Sequence, residues 1–331
     1  MAGVTFAIII PVYRNEGSIP TLLDELERVI RRLHAEANAE CEVVFVVDGS
    51  PDSSEPLLLQ MLPTRTFRSR VVTHSRNFGS FAAIRTGLAH ADAASYGVMA
   101  ADLQEPPDLM LDFWRALQDG GHDVAVGVRT ARHDPAASTW AARAFWKLYR
   151  RFVNREIPEG GVDVFGCSRR IRDLLLNLRE ANTSLVGQLY WLGFKRAEVA
   201  YERRPRIHGR SGWTLSRKLT YMLDSVFAFT DLPIRVLTGI GIACLAASGC
   251  LIAAVVALRI AGGYDVPGYA ALAVMTLFFG GMNSLGIGII GAYCWRAYEN
   301  TKGRPLAIAA AEHVFAGAGA RELTKEGRHA A

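Results

Sequence analysis

The stretch best suited to chemistry is Ala100 to Pro107, with the sequence AADLQEPP. It continues the apolar run Tyr96–Ala100, which predicts a β-strand, so the Asp102 carboxylate and the Gln104 amide would stand at that strand's carboxyl end. Oxygen ligands on a short turn suit Mg²⁺ or Mn²⁺ bridging a diphosphate, and such a cation makes a nucleotide leaving group easier to expel. Alternatively, Asp102 caps the helix that the two prolines begin.

Three other apolar runs in the first third of the chain also predict buried strands followed by polar loops. The four strands are predicted over Phe6–Val12, Val43–Val47, Arg70–Thr73 and Tyr96–Ala100. In open parallel sheets the carboxyl ends of the strands form the ligand crevice, so Asp48, Arg76 and Asp102 are expected to converge. Asp48 would accept a hydrogen bond from a base or ribose, or serve only as a turn residue before Gly49.

Basic residues follow a fifth predicted strand, Val124–Val128, and enter a helix predicted over Ser138–Val153. They are Arg129, Arg132 and Arg143. Their planar guanidinium groups could bind donor or acceptor phosphates, although arginines on a helix are usually solvated. The next predicted turn and strand carry one inward carboxylate, Asp163, which could act as a base or bond a nearby arginine.

Two long apolar segments predict a transmembrane hairpin with spans of about 236–260 and 269–295. The first has a single charge, Arg259, and its 25 residues would extend about 37 Å as a helix, against a hydrocarbon core of about 30 Å. The preceding segment, 213–234, predicts an amphipathic helix that lies on the bilayer, although a core helix has a similar pattern.

Charge placement predicts the orientation of this hairpin. The loop between the spans carries only Asp265, whereas basic residues flank the outer ends: Arg217, Lys218, Arg235, Arg296, Lys302 and Arg304. The positive-inside rule therefore places both flanks in the cytoplasm. The amino terminus has no basic region or cleavage site, so no signal peptide is expected and the first domain should stay cytoplasmic.

Composition bounds the class of protein. The 331 residues are 50% hydrophobic, which allows one sizeable α/β domain and a membrane part. The net charge of +5 suits affinity for a membrane surface and for phosphates. The sequence has no basic stretches regularly interleaved with aromatic residues, which argues against nucleic-acid binding. The five cysteines show no CxxC spacing, so we expect them to be reduced.

These motifs, in this order, resemble the family 2 glycosyltransferases of the polyprenyl-phosphate type, over residues 5 to about 305. The motifs are IPVYRNE from Ile10, VDGSPD from Val47, SRNFG from Ser75, DLQEPP from Asp102 and RIHGRSGW from Arg206. The resemblance implies a GT-A fold, with a Rossmann-like, mostly parallel α/β sheet. It also implies a nucleotide-sugar donor, with a UDP-hexose as the first candidate, and inverting transfer to a polyprenyl phosphate.

The resemblance also implies roles for single residues. The donor nucleotide would be bound by Pro11, Val12, Tyr13, Glu16, Asp48, Arg76 and Asp102. The metal would be bound by Asp102 and Gln104. Acceptor phosphate would be bound by Arg129, Arg143 and Arg206, and Asp102, Asp163 and Arg129 would be catalytic. His208 is expected to be a loop residue rather than a catalyst.

Two positions depart from the family pattern. Ala100 stands where the pattern often has the first aspartate of Asp-x-Asp, which predicts a weaker hold on the metal. Val47 stands where Asp or Asn often precedes Asp-Gly-Ser, which removes a polar group near the base.

The predicted layout is a GT-A domain over 1–212, an interfacial helix over 213–234, the hairpin over 235–297 and a cytoplasmic tail over 298–331. The protein would be a multi-pass inner-membrane enzyme, and a homo-oligomer is compatible with the sequence. Two alternatives stay open: a catalytically inactive membrane scaffold that binds nucleotide sugars, and a processive polysaccharide synthase. The second is disfavoured because the chain lacks a Gln-x-x-Arg-Trp motif and further spans.

Overall fold

The computed structural model describes residues 3–118, 121–130, 150–151, 156–158, 161–205, 215–261 and 268–318. The chain forms two compact units. The first comprises Met1–Arg179, Ser184–Lys218 and Pro305–Ala331, and the second comprises Glu180–Thr183 and Leu219–Arg304.

The first unit contains one sheet, with eight strands among the described residues. They are β1 (Phe6–Val12), β2 (Cys41–Val47), β3 (Arg68–His74), β4 (Ser95–Val98), β5 (Val124–Arg129), β6 (Phe165–Ser168), β7 (Arg196–Tyr201) and β8 (Ala309–Phe315). The order is β7-β5-β6-β4-β1-β2-β3-β8. Only β6 and β8 pair antiparallel with their neighbours, so the other six strands end at one edge.

Helices connect these strands and cover the sheet. In the first unit they are α1 (Ile19–Ala37), α2 (Ser54–Met61), α3 (Ser80–His90), α4 (Leu109–Gln118), α5 (Arg169–Asn177) and α6 (Leu185–Trp191). Chain order runs outward in both directions from β1, through β2 and β3 on one side and to β4 on the other. The carboxyl ends of β1 and β4 therefore flank a topological switch point, where open α/β sheets bind ligands.

The core follows from the apolar patterns. Every residue of β2 and all but Pro11 of β1 are buried, as continuous apolar strands with both faces covered should be. Along α1 the buried side chains recur every three to four residues, from Ile19 to Leu33. Ser18 directly precedes this helix, but its side chain does not cap it, because its hydroxyl donates to the Asn15 carbonyl at 3.0 Å.

The predicted, mostly parallel α/β architecture is confirmed. β4 ends at Val98, two residues earlier than expected, because the chain turns after the Met99 N–H donates to the Ile9 carbonyl at 3.1 Å. Strand β8 lies within the segment predicted as a tail and pairs with β3 at the sheet edge. Of the helix predicted over 138–153, only 150 and 151 are described, and both are helical.

The second unit consists mainly of α8 (Leu232–Ile260) and α9 (Tyr269–Thr301), preceded by α7 (Leu215–Phe229), which begins in the first unit. The Arg296 guanidinium on α9 pairs with Asp224 on α7 at 2.7 Å. Within the described residues, no single helix is long and apolar enough to cross a membrane. One bent pair, Met222–Phe229 with Leu232–Cys244 at 77°, could do so by length and composition.

Candidate active site

The loops after β1 and β2 bind each other through their backbones. The Arg14 N–H donates to Ser50 Oγ at 2.7 Å, and the Glu16 N–H donates to Asp52 Oδ2 at 3.1 Å. In return, the Ser53 N–H donates to Glu16 Oε2 at 3.0 Å. An open pocket of about 390 Å³ lies beside these loops, lined in part by Glu16 and Asp52. Glu16, which was predicted to contact the donor nucleotide, is thus one of the residues that line this pocket.

The other predicted nucleotide contacts of β1 differ in how accessible they are. Val12 is buried, and its carbonyl accepts from the Asp48 N–H at 3.0 Å. Pro11 is half-buried within the strand. Tyr13, the first residue beyond the strand, is exposed, and the Arg14 guanidinium lies 5.4 Å from its ring centroid. Of these three, Tyr13 therefore offers the most accessible side chain to a nucleotide.

Asp48 is buried, and its carboxylate holds the loop that follows β3. Its Oδ1 accepts from the Phe78 N–H and its Oδ2 from the Gly79 N–H, each at 2.8 Å, and Oδ1 also lies 2.8 Å from His74 Nδ1. Burial acts to raise the pKa of Asp48, but these hydrogen bonds outweigh it and hold the pKa below its ordinary value. Both carboxylate oxygens therefore have partners within the protein.

Gly49 lets the loops after β2 and β3 approach each other. Its φ is +57°, and a Cβ built there would stand 2.4 Å from the backbone carbon of Arg76. Only glycine suits that conformation and that spacing. The Arg76 guanidinium lies 4.0 Å from the centroid of the Phe78 ring, and its Nη1 donates to the Asn77 carbonyl at 3.1 Å. Arg76 is thus held at the sheet edge on a tightly supported loop.

The turn after β4 places Asp102 at the switch point. The Gln104 N–H donates to Asp102 Oδ1 at 3.3 Å, which closes a short side-chain turn. Leu103 between them has φ +56°, a left-handed conformation that is unfavourable for a residue with a Cβ. Backbone strain of this kind persists where the surrounding structure holds it, often at ligand sites.

Residues after β7 hold this turn from the side. Arg203 Nη2 donates to the Gln104 side-chain oxygen at 2.6 Å, and the Arg204 N–H donates to the Gln104 carbonyl at 2.8 Å. The oxygen predicted as a metal ligand therefore already accepts from a guanidinium. A divalent cation would have to compete with Arg203 for it.

Glu105 is a second carboxylate beside Asp102. It is 2% exposed, its Oε1 lies 3.8 Å from Arg203 Nε, and its Oε2 has no hydrogen-bond partner among the described residues. Burial, followed by the charge of Asp102, raises the pKa of Glu105. Arg203 and Arg129 act in the opposite direction but do not cancel this effect. A buried carboxyl group with an unpaired oxygen is energetically unfavourable and typical of functional sites.

Arg129, Asp163 and Tyr201 form a second cluster at the same edge. Arg129 ends β5 and forms an ion pair with Asp163. The Tyr201 hydroxyl at the end of β7 lies 3.4 Å from both Asp163 Oδ2 and Arg129 Nε. Burial, then the charge of Glu105, raises the pKa of Tyr201. The alternative role given to Asp163, bonding a nearby arginine, is the one this geometry displays.

Several predicted basic residues lie outside the described residues. They are Arg132, Arg143, Arg206 and His208. The geometry therefore brings together Asp102, Gln104, Arg129 and Asp163 from the sequence predictions, and places Asp48, Arg76 and Glu16 on the adjacent loops.

The metal prediction can be compared with the available donors. Among the described residues no group of three or more His, Cys, Asp or Glu side chains could hold a metal ion. Magnesium, however, is commonly bound by one or two carboxylates, with waters and substrate phosphates completing its shell. Asp102, partly exposed at the switch point, fits that kind of site, and Gln104 fits it only if Arg203 gives way.

Sequence reasoning missed three members of this site. Tyr201 and Arg203 lie at and beyond the end of β7, a strand that the sequence analysis did not predict. Glu105 was visible in the motif, yet it received no role because spacing alone does not reveal its burial. The signal in the sequence that could have identified Glu105 was a charged residue placed between Gln104 and two prolines.

The chain belongs to glycosyl transferase family 2, whose model matches residues 7–177. It is a glycosyltransferase, as the sequence analysis predicted. The matched region begins in β1 and ends in α5, so it contains the first four strand-end loops and the pair of Arg129 and Asp163.

Curated relatives match almost end to end. An uncharacterized glycosyltransferase of Synechocystis, sll0501, is 31% identical over 92% of this chain and 94% of its own. A prophage-derived bactoprenol glucosyl transferase of Shigella flexneri is 30% identical over 93% of this chain and 98% of its own. A prophage bactoprenol glucosyl transferase homologue of Escherichia coli K12 is also 30% identical, over 90% of this chain and 96% of its own.

Among solved structures, the glucosyl-3-phosphoglycerate synthase of Mycobacterium tuberculosis, in complex with Mn²⁺, UDP and glucosyl-3-phosphoglycerate, is similar with a TM-score of 0.46 and 17% identity. The similarity covers 69% of this chain and 78% of that one.

Proposed function

We propose that the protein transfers a hexose, with glucose the first candidate, from a UDP-sugar to a polyprenyl phosphate of the undecaprenyl type. Reaction would take place at the cytoplasmic face of the inner membrane, with inversion at the sugar. The end-to-end similarity to proteins named bactoprenol glucosyl transferases supports the acceptor and the sugar. Residues at the sheet edge support the chemistry.

The observation that carries the proposal is the placement of opposite charges at one edge of the sheet. Asp102 follows β4, Arg129 ends β5 and Arg203 follows β7, so all three lie at or just beyond the carboxyl ends of parallel strands. Arg203 Nε lies 3.8 Å from Glu105 Oε1, and the charges of Asp102, Arg129 and Arg203 all act on the pKa of Glu105. Transfer between two phosphorylated substrates needs this mixture, because a cation or arginine must neutralise each phosphate.

The acceptor supplies its own nucleophile. A lipid monophosphate has a second pKa near 6, so it is largely a dianion at neutral pH and needs no strong base. Its oxygen attacks C1 of the sugar, the bond from C1 to the diphosphate oxygen breaks, and the nucleoside diphosphate leaves with the electron pair. The task left to the protein is to bring two anions together, for which Arg129 is well placed.

Asp102 would hold a divalent cation, Mg²⁺ or Mn²⁺. Such a cation, when bound, neutralises charge on the diphosphate leaving group. Gln104 orders the turn through its N–H bond to Asp102 Oδ1, while Arg203 fixes the Gln104 side chain. These contacts order the turn that carries Asp102.

The second unit supports membrane attachment. Large apolar side chains are exposed along both long helices, among them Ile242 at 62% and Ile260 at 82% on α8, and Leu272 at 68% and Ile287 at 71% on α9. Exposed apolar surface of this extent marks a partner or a membrane. We therefore retain the two-span hairpin, with both flanks cytoplasmic, as part of the proposal.

Mass spectrometry of the lipid product tests the function directly. Membranes containing the protein would be incubated with undecaprenyl phosphate and a panel of nucleotide sugars, and a lipid heavier by one hexose is expected with UDP-glucose. Nucleotide-sugar hydrolysis should be slow without the lipid phosphate. Binding of a UDP-sugar with no product from any donor would favour the inactive scaffold, and polymeric products would favour a processive synthase.

Cysteine accessibility tests the topology. In a variant without the native cysteines, a cysteine at position 265 should react with a membrane-impermeant maleimide from the periplasmic side of intact cells. A cysteine at position 302 should react only after the membrane is opened. Labelling of both positions from the same side would contradict the hairpin.

A further inference from the structure

His74 lies at the end of β3 and joins two elements that flank the donor site. It is 3% exposed, its Nδ1 lies 2.8 Å from Asp48 Oδ1, and its Nε2 lies 2.9 Å from Thr86 Oγ1 on α3. An ionised carboxylate can only accept, so Nδ1–H donates to Asp48. In the neutral ring, the Thr86 hydroxyl then donates to Nε2.

Asp48 in turn binds the loop that follows β3. Its two oxygens accept from the N–H groups of Phe78 and Gly79, which lie immediately after Arg76 and Asn77. The His74 ring also packs edge-on against the Phe78 ring, with centroids 5.5 Å apart, and the Arg76 guanidinium covers the same Phe78 ring. The chain of contacts therefore runs from α3 through two buried side chains to an exposed guanidinium.

Neither buried group can act by touching the donor. Asp48 is 2% exposed, and the hydrogen bonds described above occupy both of its oxygens. His74 is equally inaccessible and directs both ring nitrogens at protein atoms. The contacts of the two side chains instead lead to the loop that carries Arg76.

We propose that His74 is a positioning residue for binding of the donor diphosphate. It fixes Asp48, Asp48 fixes the amides of Phe78 and Gly79, and the fixed loop presents Arg76 to the phosphates. This inference rests on the proposed function for its substrate, and it reassigns Asp48 from direct contact with the base or ribose to support of the phosphate-binding loop.

Kinetics on the full-length protein test the proposal through its effect on KM. His74→Leu removes both hydrogen bonds, and we expect donor KM to rise about tenfold while kcat changes less than about threefold, as loss of ground-state binding predicts. His74→Asn keeps an amide donor near the position of Nδ1 and should restore much of the affinity. His90→Leu, at the far end of α3 beside Glu312, is the matched control and should leave donor KM unchanged.

A double mutant separates positioning from general loss of structure. Arg76→Ala alone should raise donor KM, and adding His74→Leu should then raise it by no more than about twofold, because coupled residues are non-additive. If the two effects multiply, His74 does not act through Arg76 and the proposal is overturned. Should His74→Leu fail to fold, Thr86→Val, which loses only the outer hydrogen bond, takes its place in the cycle.

Hydrogen exchange tests the contacts without any substrate. In the unliganded protein, the amides of Phe78 and Gly79 should exchange faster in His74→Leu than in wild type, while β1 amides stay protected. Unchanged exchange at both amides would refute the relay even if the enzyme is active. Faster exchange in a protein that transfers no hexose would instead leave the relay intact and count only against the proposed function.

Discussion

The loops after β2 and β3 differ sharply from the turn after β4, although both stand at the same edge of the sheet. Around Asp48 each buried polar atom described has a partner, and the pKa of the carboxyl is lowered. Around Glu105, within the part of the chain that the structure describes, a carboxylate oxygen and the Arg203 Nε have no hydrogen-bond partner. The pKa of this carboxyl is raised, and Leu103 has a positive φ.

This difference separates a scaffold from a reaction site. Satisfied hydrogen bonds at Asp48 hold a loop in one conformation before any ligand binds. The strained Leu103 and the Glu105 oxygen that has no partner among the described residues stand beside Asp102, as expected where a ligand completes the electrostatics. Substitutions in the first region should therefore change binding, and substitutions in the second should change catalysis or, on removal of charge, increase stability.

The largest effect is expected from Asp102→Asn. Removing the charge that would hold the cation should lower kcat by about a hundredfold or more, a range typical for loss of one preorganised electrostatic group. Steady-state transfer assays with Mg²⁺ or Mn²⁺ would measure it. Asp108→Asn, a few residues on and bound to Arg28 and Arg32 outside the site, is the matched control and should stay active. Full activity of the wild type in EDTA would contradict the metal role.

Arg129→Ala should come next, with a larger loss of kcat/KM for the lipid acceptor than Asp163→Asn. The first substitution removes a cation that would hold the acceptor phosphate, whereas the second leaves Arg129 in place and relieves it of its ion pair. Measuring kcat/KM for the lipid acceptor in both variants decides whether Arg129 binds the acceptor phosphate or Asp163 acts as a general base. A much deeper loss in Asp163→Asn, with Arg129→Ala nearly normal, would restore a general-base mechanism.

Arg203→Ala should have a smaller effect, about tenfold on kcat/KM. The substitution frees the Gln104 side chain and removes the guanidinium that pairs with Glu105. Because the Arg203 guanidinium competes with a cation for the Gln104 side-chain oxygen, the affinity for Mn²⁺ in the presence of UDP should rise, measured by calorimetry. Arg204→Ala is the control, since Arg204 contributes its backbone N–H and not its side chain to the Gln104 contact.

Much of the scaffold could be predicted from the sequence, because buried parallel strands leave unbroken apolar runs. β1 was predicted to the residue, and the strand-end loops with Asp48, Arg76 and Asp102 were expected to converge. Strand β7 was not predicted. Buried and exposed side chains alternate only partly along this strand. Two of its residues, Arg196 and Glu198, are charged, so its sequence resembles that of a loop.

Roles within the site were harder to predict than positions. The carboxyl of Asp48 looked like a nucleotide ligand, but its burial depends on β3 and α3, which lie far along the chain. Glu105 and Gln104 look alike in sequence, yet one is buried beside Asp102 and the other is bound to Arg203. Only tertiary contacts between distant strands make that distinction.

The smallest effect, and the sharpest test of the comparison, concerns stability. Glu105 has a raised pKa in the folded protein, so folding becomes less favourable as the pH rises from the ordinary Glu range through the folded pKa. Glu105→Gln removes that dependence and should raise the apparent melting temperature by a few degrees, about 2–4 °C per kcal/mol in a domain of this size. The gain should be larger at pH 8 than at pH 5, because wild-type Glu105 is protonated more often at the lower pH.

Asp112→Asn, on the exposed side of α4, is the control, and it should change the melting temperature little at either pH. Destabilisation by Glu105→Gln that is equal at both pH values would show that the ion pair with Arg203, rather than the buried charge, dominates at this position.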